Sequence, residues 1–595
     1  MTELREKLSK AVIRVEHKSS TKTHKWISWE SIKSITDEAG DVVGKLATSE
    51  CHAEGLKKFA LLKARRLVAL LFHTRHEEWL ERFYHNDFGD DMFPIEVKYE
   101  GSHRTVESTK TKRRAEFLEE LFQYHDFDVI CDMWQWMFFV PIFSQDDTAY
   151  VFDWRCQLPF VQELETSESN FSTVTHLVIH RGHLKFENDD QIGTVLDSDG
   201  NPHVAVKKLL TRGTAEKLQQ VVENEASVLG RFQNHNHPHF VRAIARYTQE
   251  NHHYFVFPWA KGGNLREFWD QQPSLSRASL NFSTHDWDTY IRWFFDQLVG
   301  LASAIKELHH PDEEFGVSCR HGDLKPENIL CFSHDAPGPG KIPTSVKLVI
   351  ADAGHAKVHE KVTELRQDIT NTPAGTNTYK PPEVVYLPKE ARSRRYDIWS
   401  LGCLYLEFII WILYDRDGLQ RFRTDIGPSE PFFKEHPEIT VKDMVKKWIQ
   451  YIKEDPRCSS TGPTALGRFV ELIETRLLVV RIQRRQGSKP KHEAIDFPTE
   501  HPELSAEDSK LPLTMVTRPS FNINEPGANE LERADAIEMV EVIQKIITRA
   551  SGDSLPWISW DGMASTRSFW PTANLDTRAQ TGSLRESNRA GLQGV

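Results

Sequence analysis

Three polar side chains in one short segment have the types and spacing that phosphoryl transfer requires. The segment is His-Gly-Asp-Leu-Lys-Pro-Glu-Asn-Ile-Leu, residues 321–330. Transfer of a phosphoryl group needs a carboxylate that orients a hydroxyl and accepts its proton, and an oxygen ligand for a metal ion. Asp323 and Asn328 can supply these groups from one loop, and Lys325 can neutralise charge on the phosphate.

A second acid follows at the end of an apolar strand. The run Val-Ile-Ala-Asp-Ala-Gly, residues 349–354, contains Asp352, which could hold a magnesium ion that bridges the phosphates of ATP. Taken alone, Asp323 is more simply explained as a turn or cap residue. The phosphoryl-transfer interpretation therefore depends on the whole set of residues in its order along the chain.

In that order, the chain from 156 to 550 resembles a eukaryotic-type protein kinase. Val-Ala-Val-Lys at 204–207 is similar to the strand that carries the ATP lysine, and Asn-Glu-Ala at 224–226 to the helix whose glutamate pairs with it. Residues 375–383 resemble the end of an activation segment, and residues 397–402 the start of the central helix of the large lobe.

The resemblance implies ATP and Mg²⁺ as cofactors and the site residues that would handle them. These are Asp323 and Lys325 for catalysis, Asn328 and Asp352 for the metal, and, for the nucleotide, Ser167, Ser169, Ser172, Val174, Ala205, Lys207, Glu225, Phe257, Pro258 and Ala260. Lys325, together with Thr376, resembles the serine/threonine class. Pro258 has no N–H, but its carbonyl can accept a hydrogen bond from adenine.

The chain departs from the kinase pattern in three places. Residues 167–174 match the glycine-rich loop with serine at all three glycine positions, and a second candidate for that loop, 188–195, keeps only Gly193. Ala353 replaces the phenylalanine of the Asp-Phe-Gly motif. Gly322 stands where an arginine usually precedes the catalytic aspartate, so we expect that phosphorylation of the activation segment is not the main switch.

Two functional hypotheses follow from this pattern. The first is an active serine/threonine kinase that phosphorylates an unidentified protein, because every residue that donates a catalytic atom is kept. The second is a pseudokinase that acts as a nucleotide-binding or scaffold module, which the serine-substituted loop and Ala353 favour. The sequence does not specify the oligomeric state.

The surrounding elements predict an α+β protein with a bilobal kinase fold after a mainly helical N-terminal region. Short β-like runs at 174–179, 204–206 and 254–257, with a helical stretch at 215–232, indicate the small lobe (156–257). Helix 287–309 opens the large lobe (260–550). A polar insertion is expected at 484–513, and the tail, 551–595, is expected to be partly disordered.

The N-terminal region, 1–155, combines helical patterns with one polar stretch. Leucines and phenylalanines recur at helical spacing over 56–71 and 117–122, whereas 99–113 is polar and predicts a loop. Several short segments resemble a group of kinase-domain proteins of filamentous fungi. They are residues 57–62, 135–143, 158–160, 179–180 and 257–260.

Composition narrows the class of partner and the compartment. The 595 residues carry 74 basic and 86 acidic side chains, a net charge of −12, which argues against a general nucleic-acid binder. Seven cysteines without zinc spacing favour a reducing, cytoplasmic environment, with nuclear access left open. No signal-peptide pattern and no long uninterrupted apolar run is evident, so we expect no membrane span.

Overall fold

The structure is a computed structural model that divides into two compact units. It describes residues 1–16, 23–101, 103–144, 149–168, 172–186, 195–210, 237–271, 284–310, 319–333, 345–352, 377–386, 393–459, 462–480, 532–552 and 554–559. Unit 1 comprises Met1–Pro373 and Phe408–Gln420, and unit 2 comprises Ala374–Glu407 and Arg421–Val595. The predicted stretch 215–232, the insertion 484–513 and most of the tail lie outside the described residues.

Unit 1 begins with a mainly helical region that also contains two antiparallel hairpins. Its helices and strands are α1 (Thr2–Lys10), β1 (Val12–Glu16), β2 (Thr23–Ile27), α2 (Trp29–Glu38), α3 (Gly40–Gly44), α4 (Glu50–Leu62), α5 (Arg65–Thr74), α6 (Leu80–His85), β3 (Ile95–Glu100), β4 (His103–Ser108), α7 (His125–Val129) and α8 (Gln135–Phe138). Helix α5 is central because all of residues 67–72 are buried.

The loop prediction for residues 99–113 is wrong, because β3 and β4 form a hairpin there. Strand β4 buries Thr105 and Ser108 together with Val106. The backbone N–H of Thr111 donates to Ser108 Oγ at 3.0 Å, so this buried hydroxyl has a partner. Polar side chains can face a core when they are hydrogen-bonded, and hydropathy alone therefore did not indicate the strand.

A six-stranded sheet follows the helical region. Its order is β6–β11–β12–β10–β8–β7, and all neighbours are antiparallel except β6 and β11. The strands of this part of the chain are β5 (Phe143–Ser144), β6 (Ala149–Phe152), β7 (Phe160–Glu168), β8 (Ser172–Ile179), β9 (Leu184–Lys185), β10 (His203–Leu209), β11 (Ala245–Gln249) and β12 (His252–Pro258). The predicted small-lobe strands are confirmed.

Hydrogen bonds attach the helical region to the start of the sheet. The Trp26 indole N–H donates to Phe160 O at 3.0 Å. The Trp29 backbone N–H donates to Nε2 of buried His183 at 2.9 Å, and Nδ1–H of His183 donates to Pro141 O at 2.8 Å. Burial lowers the pKa of His183 to about 3, so this imidazole is neutral.

The helical part of unit 1 supports a two-stranded hairpin. The elements are α9 (Leu265–Gln271), α10 (Thr284–His309), a 3₁₀ turn (Pro326–Asn328), β13 (Ile329–Phe332) and β14 (Lys347–Ile350). Helix α10, close to its predicted range, holds the hairpin through two side chains. The Trp293 indole donates to Val346 O at 2.7 Å, and Gln297 Oε1 accepts from the Leu348 N–H at 2.9 Å.

The remaining described elements belong mainly to unit 2. They are α11 (Glu383–Tyr386), α12 (Arg395–Ile426, of which 408–420 belong to unit 1), β15 (Phe433–Lys434), β16 (Thr440–Val441), α13 (Asp443–Lys453), α14 (Ala465–Leu472) and α15 (Ala536–Ser551). Helix α12 is long and apolar enough to cross a membrane, but its most apolar stretch is completely buried, as in the core helix of a folded domain. The α+β fold class is confirmed.

Candidate active site

Strand β10 aligns small-lobe residues that were predicted to hold the nucleotide. Side chains alternate between the two faces of a strand, and Val206 is buried in the apolar core on one face. Ala205 and Lys207 therefore lie on the opposite face. Residues directly opposite each other on neighbouring strands share a face, so Val174 on β8 lies beside Lys207, and Phe257 on β12 beside Ala205.

Lys207 contacts one of the two predicted metal ligands directly. Its ammonium nitrogen lies 2.6 Å from Oδ1 of Asp352, the second residue after β14. Lys207 is buried, whereas the Asp352 side chain is 38 % exposed. Asp352 also has a left-handed backbone, φ +62°, a conformation that is uncommon outside glycine and is often found at functional sites.

The predicted catalytic loop forms one hydrogen-bonded network around Asp323. Lys325 Nζ lies 2.8 Å from Asp323 Oδ2, and Asn328 Nδ2 donates to the same oxygen at 3.1 Å. Asn328 Nδ2 also donates to the backbone oxygen of Asp323 at 2.7 Å. The carboxylate is thereby held in one orientation by an ammonium group and an amide.

The orientation of Asn328 leaves its oxygen available for a metal ion. Its amide nitrogen makes both hydrogen bonds to Asp323, and among the described residues Oδ1 makes none. The Ala351 N–H donates to Asn328 O at 2.8 Å, which ties the loop to the residue before Asp352. A carboxylate and an amide oxygen are suitable ligands for Mg²⁺, so this donor set fits the predicted ion.

Two residues in this loop have positioning roles that sequence reasoning did not assign. His321 is fully buried, its Nε2 donates to Ala351 O at 2.9 Å, and its Nδ1 accepts from the Asp323 N–H at 3.3 Å. His321 thus connects the catalytic loop to the strand end that presents Asp352. Gly322 has φ +79°, a conformation that glycine adopts without the steric cost of a Cβ atom.

The predicted hinge, residues 257–260, comprises the last two residues of β12 and the two that follow. Pro258 is opposite Val204 in the sheet register, and the Trp259 N–H donates to His203 O at 3.2 Å. Ala260 is buried, and its carbonyl accepts from the Gly263 N–H. The hinge prediction itself, with main-chain groups that contact adenine, stays a prediction.

The β7–β8 hairpin carries two of the three serines predicted to replace glycines. Ser167 lies near the end of β7, opposite Val174, and Ser172 begins β8. Ser169, between the strands, lies outside the described residues, as do Glu225, Ala353 and Gly193. The predicted Lys207–Glu225 pair and the choice between the two loop candidates therefore stay predictions.

Unit 2 contains a buried ion pair with one partner that sequence analysis missed. Arg533 donates to both carboxylate oxygens of Glu383 at 2.8 and 3.0 Å, and both side chains are almost completely buried. Arg533 also donates to Arg395 O and Val479 O. Because 150 positions separate the partners, no local pattern could have indicated this pair.

Comparison with known sequences identifies the domain that contains most of this site. Residues 191–460 match the sequence profile described as "Protein kinase domain". The chain therefore contains a protein kinase domain. The kinase domain, as matched, includes all the predicted large-lobe site residues and begins inside the second loop candidate, 188–195. It begins after the β7–β8 hairpin, although that hairpin belongs to the same sheet as the lysine strand.

Three kinases show which known proteins this chain is similar to. The first is serine/threonine-protein kinase tousled-like 1 of Caenorhabditis elegans, 24 % identical over 50 % of this chain and 30 % of its own length. The second is calcium/calmodulin-dependent protein kinase cmkA of Emericella nidulans, which is 30 % identical over 36 % of this chain and 42 % of its own length. The third is human 3-phosphoinositide-dependent protein kinase 1, which is 27 % identical over 32 % of this chain and 27 % of its own length. The alignments thus span less than half of each relative's length.

Proposed function

We propose that this protein is a serine/threonine protein kinase that transfers the γ-phosphate of ATP to hydroxyl groups of a protein substrate. The observation that carries the proposal is the network in which Asp323 Oδ2 is held by Lys325 and Asn328, together with the contact between Lys207 of β10 and Asp352 just after β14. The names of the similar kinases support the substrate class.

Asp323 acts as the proton acceptor in this proposal. Its carboxylate orients the serine or threonine hydroxyl and takes the proton as the hydroxyl oxygen forms its bond to the γ-phosphorus. The bond between that phosphorus and the β–γ bridging oxygen breaks, and ADP leaves with the electron pair. Lys325, 2.8 Å from the same carboxylate oxygen, stabilises the negative charge that spreads over the transferring phosphoryl oxygens.

Lys207, Asn328 and Asp352 position the phosphates in this proposal. Asn328 Oδ1 and the Asp352 carboxylate would hold Mg²⁺, which supplies positive charge against the β- and γ-phosphate oxygens when bound. The Lys207 ammonium lies beside Asp352 and contacts the phosphates of the nucleotide. The face that carries Ala205, Val174 and Phe257 provides the apolar surface for the adenine ring.

A pseudokinase remains the second candidate because the loop candidate on the β7–β8 hairpin has serine where backbone approach to phosphate favours glycine. Ser167 and Ser172 both belong to regular strands. Loss of close backbone N–H contacts with the phosphates would reduce nucleotide affinity. In that case the domain would bind nucleotide or a protein partner without phosphate transfer.

One assay separates the two functions. Purified wild-type protein is incubated with labelled ATP, Mg²⁺ and a mixture of protein substrates beside Asp323→Asn, which keeps the shape of the side chain. We expect incorporation by the wild type and a loss of about 10²-fold or more in the variant, because the proton acceptor is gone. Equal incorporation by both proteins would point to a contaminating kinase. If neither protein transfers phosphate but both bind ATP, the pseudokinase function is supported.

A further inference from the structure

A cavity of about 480 Å³ lies in unit 1, away from the kinase site, between the N-terminal helices and the short strand β9. Its walls contain four cationic side chains, three carboxylates and four largely apolar side chains. They are Lys63, Arg66, Arg113 and Lys185; Asp87, Asp90 and Asp91; and Trp29, Leu62, Met92 and Ile142. Pockets of roughly 300–1,000 Å³ commonly hold small organic molecules.

Two of the three carboxylates already have partners. Asp87 is paired with Lys63 at 2.7 Å. Asp90 accepts the backbone N–H groups of Arg66 and Leu67, each at 2.9 Å, and so caps the start of α5. The third, Asp91, is exposed to solvent.

Two of the cations that line the cavity, Arg66 and Lys185, form no ion pair within the described part of the chain. Among the described residues, the guanidinium of Arg66 makes no hydrogen bond or ion pair and lies over the rings of Trp29 (5.3 Å) and Phe139 (5.9 Å). Lys185 likewise has no ion pair within the described part of the chain. Burial lowers the pKa of Arg66, and the nearby carboxylate of Asp90 partly offsets this effect.

Cations held close together are electrostatically unfavourable unless anionic groups balance them, and this lining has four cations against three carboxylates. Arginine is well suited to such an anion, since its planar donors match the oxygens of a phosphate or carboxylate. Arg113 adds a further positive charge, and its guanidinium donates to the carbonyl oxygens of Asn86 and Asp87 rather than to a carboxylate. The positive charge of the wall is therefore only partly balanced.

We propose that this cavity binds a small organic oxyanion, a phosphate ester or a carboxylate, whose charged group contacts Arg66 and Lys185. The apolar walls formed by Trp29, Met92 and Ile142 would contact the organic part. Because β9 follows β8 of the six-stranded sheet along the chain, the ligand would bind where the N-terminal region meets that sheet. This proposal is independent of whether the protein transfers phosphate.

Isothermal titration of the full chain with phenyl phosphate, and separately with benzoate, tests the site and distinguishes the two anion classes. We expect saturable 1:1 binding of at least one of the two probes. In Arg66→Met the affinity for that probe should fall at least about tenfold, since a charge-assisted contact is removed. Lys185→Glu, at an exposed position, should weaken binding similarly and provides a second variant if Arg66→Met does not fold.

Two controls define where the probes bind. Arg82→Met removes an exposed arginine of the same region that pairs with Glu120 outside the cavity, and it should leave the affinity unchanged. Lys207→Met changes the nucleotide site and should also leave the affinity for the probes unchanged. The proposal is overturned if neither probe binds saturably, if Arg66→Met binds as the wild type does, or if Lys207→Met abolishes binding.

Discussion

The ammonium nitrogen of Lys207 lies 2.6 Å from Oδ1 of Asp352, although 145 positions separate the two residues. One belongs to the centre of a six-stranded sheet and the other follows a two-stranded hairpin. The contact joins a phosphate-binding cation to a metal-binding carboxylate in the proposed kinase. Because the lysine is buried, the attraction is less screened than it would be in water.

Lys207→Met is expected to lower the rate of phosphate transfer by about 10²-fold or more while it weakens ATP binding less than tenfold. The lysine aligns the phosphates for transfer, so its contribution is larger in the transition state than in the bound ground state. Single-turnover kinetics and nucleotide titration measure the two effects separately.

Lys208→Met is the matched control for this prediction. Lys208 is the next residue of the same strand, and its side chain lies on the other face, within 5.8 Å of the Tyr254 ring. This variant should transfer phosphate at nearly the wild-type rate. Equal losses in both variants would mean that the strand is perturbed as a whole, and the assigned role of Lys207 would be wrong.

Gly322→Ala is expected to destabilise unit 1 by about 1–2 kcal/mol, because φ is +79° there and a Cβ atom is unfavourable in that conformation. Gly44→Ala provides the contrast, since Gly44 ends a helix and a Cβ there would meet no atom within 4 Å. That substitution should be neutral or slightly stabilising. Denaturant unfolding of both variants measures the difference, and a Gly322→Ala variant as stable as the wild type would contradict the backbone argument.

The buried pair in unit 2 yields a third prediction. Arg533→Met leaves Glu383 without its guanidinium partner and should reduce the free energy of unfolding by about 3–5 kcal/mol. The double variant Glu383→Gln, Arg533→Met should lose less than the two single variants together.

The partly exposed pair Lys453–Glu474, with a similar 2.7 Å separation, serves as the control. Lys453→Met should cost less than about 1 kcal/mol. If Arg533→Met were equally mild, the Glu383–Arg533 pair would not be a main support of unit 2. Denaturant unfolding followed by a probe within unit 2 distinguishes these outcomes.

The extent to which sequence predicted the site depends on the distance along the chain over which each contact forms. Asp323, Lys325 and Asn328 lie within six positions of one another, and their loop was predicted from residue type and spacing alone. The strand that bears Lys207 was predicted from its β-branched alternation. In contrast, no local pattern marks Arg533, whose importance follows only from tertiary contacts.

The N-terminal region shows the same limit in another form. The leucines of α5 indicated a buried helix because apolar periodicity and burial agree there. Thr105 and Ser108 are buried as well, but their polarity indicated a loop. The cavity around Arg66 was also not predictable, since its lining comes from α2, α4, α5, the segment after α6, β9 and the loops that hold Arg113 and Ile142.

His183 should make the stability of unit 1 depend on acid. Its Nε2 accepts the Trp29 N–H and its Nδ1–H donates to Pro141 O, so a second proton would have to break one of these bonds. Burial lowers its pKa from 6.5 to about 3 in the folded protein. Between these values the unfolded chain binds one more proton than the folded chain, and stability must therefore fall as the pH falls from about 6.5 towards 3.

His183→Gln tests this assignment through the slope of stability against pH. The variant should be less stable at pH 7, by about 1–3 kcal/mol, because buried hydrogen bonds are lost. Between pH 6.5 and 5 its free energy of unfolding should fall less steeply than that of the wild type, by up to about 1.4 kcal/mol per pH unit.

His176 and His237, whose pKa burial lowers to about 4, contribute a background slope that both proteins share. His125→Gln, at an exposed position, is the matched substitution. Parallel curves for the wild type and His183→Gln would show that the imidazole does not couple protonation to the attachment of the N-terminal region.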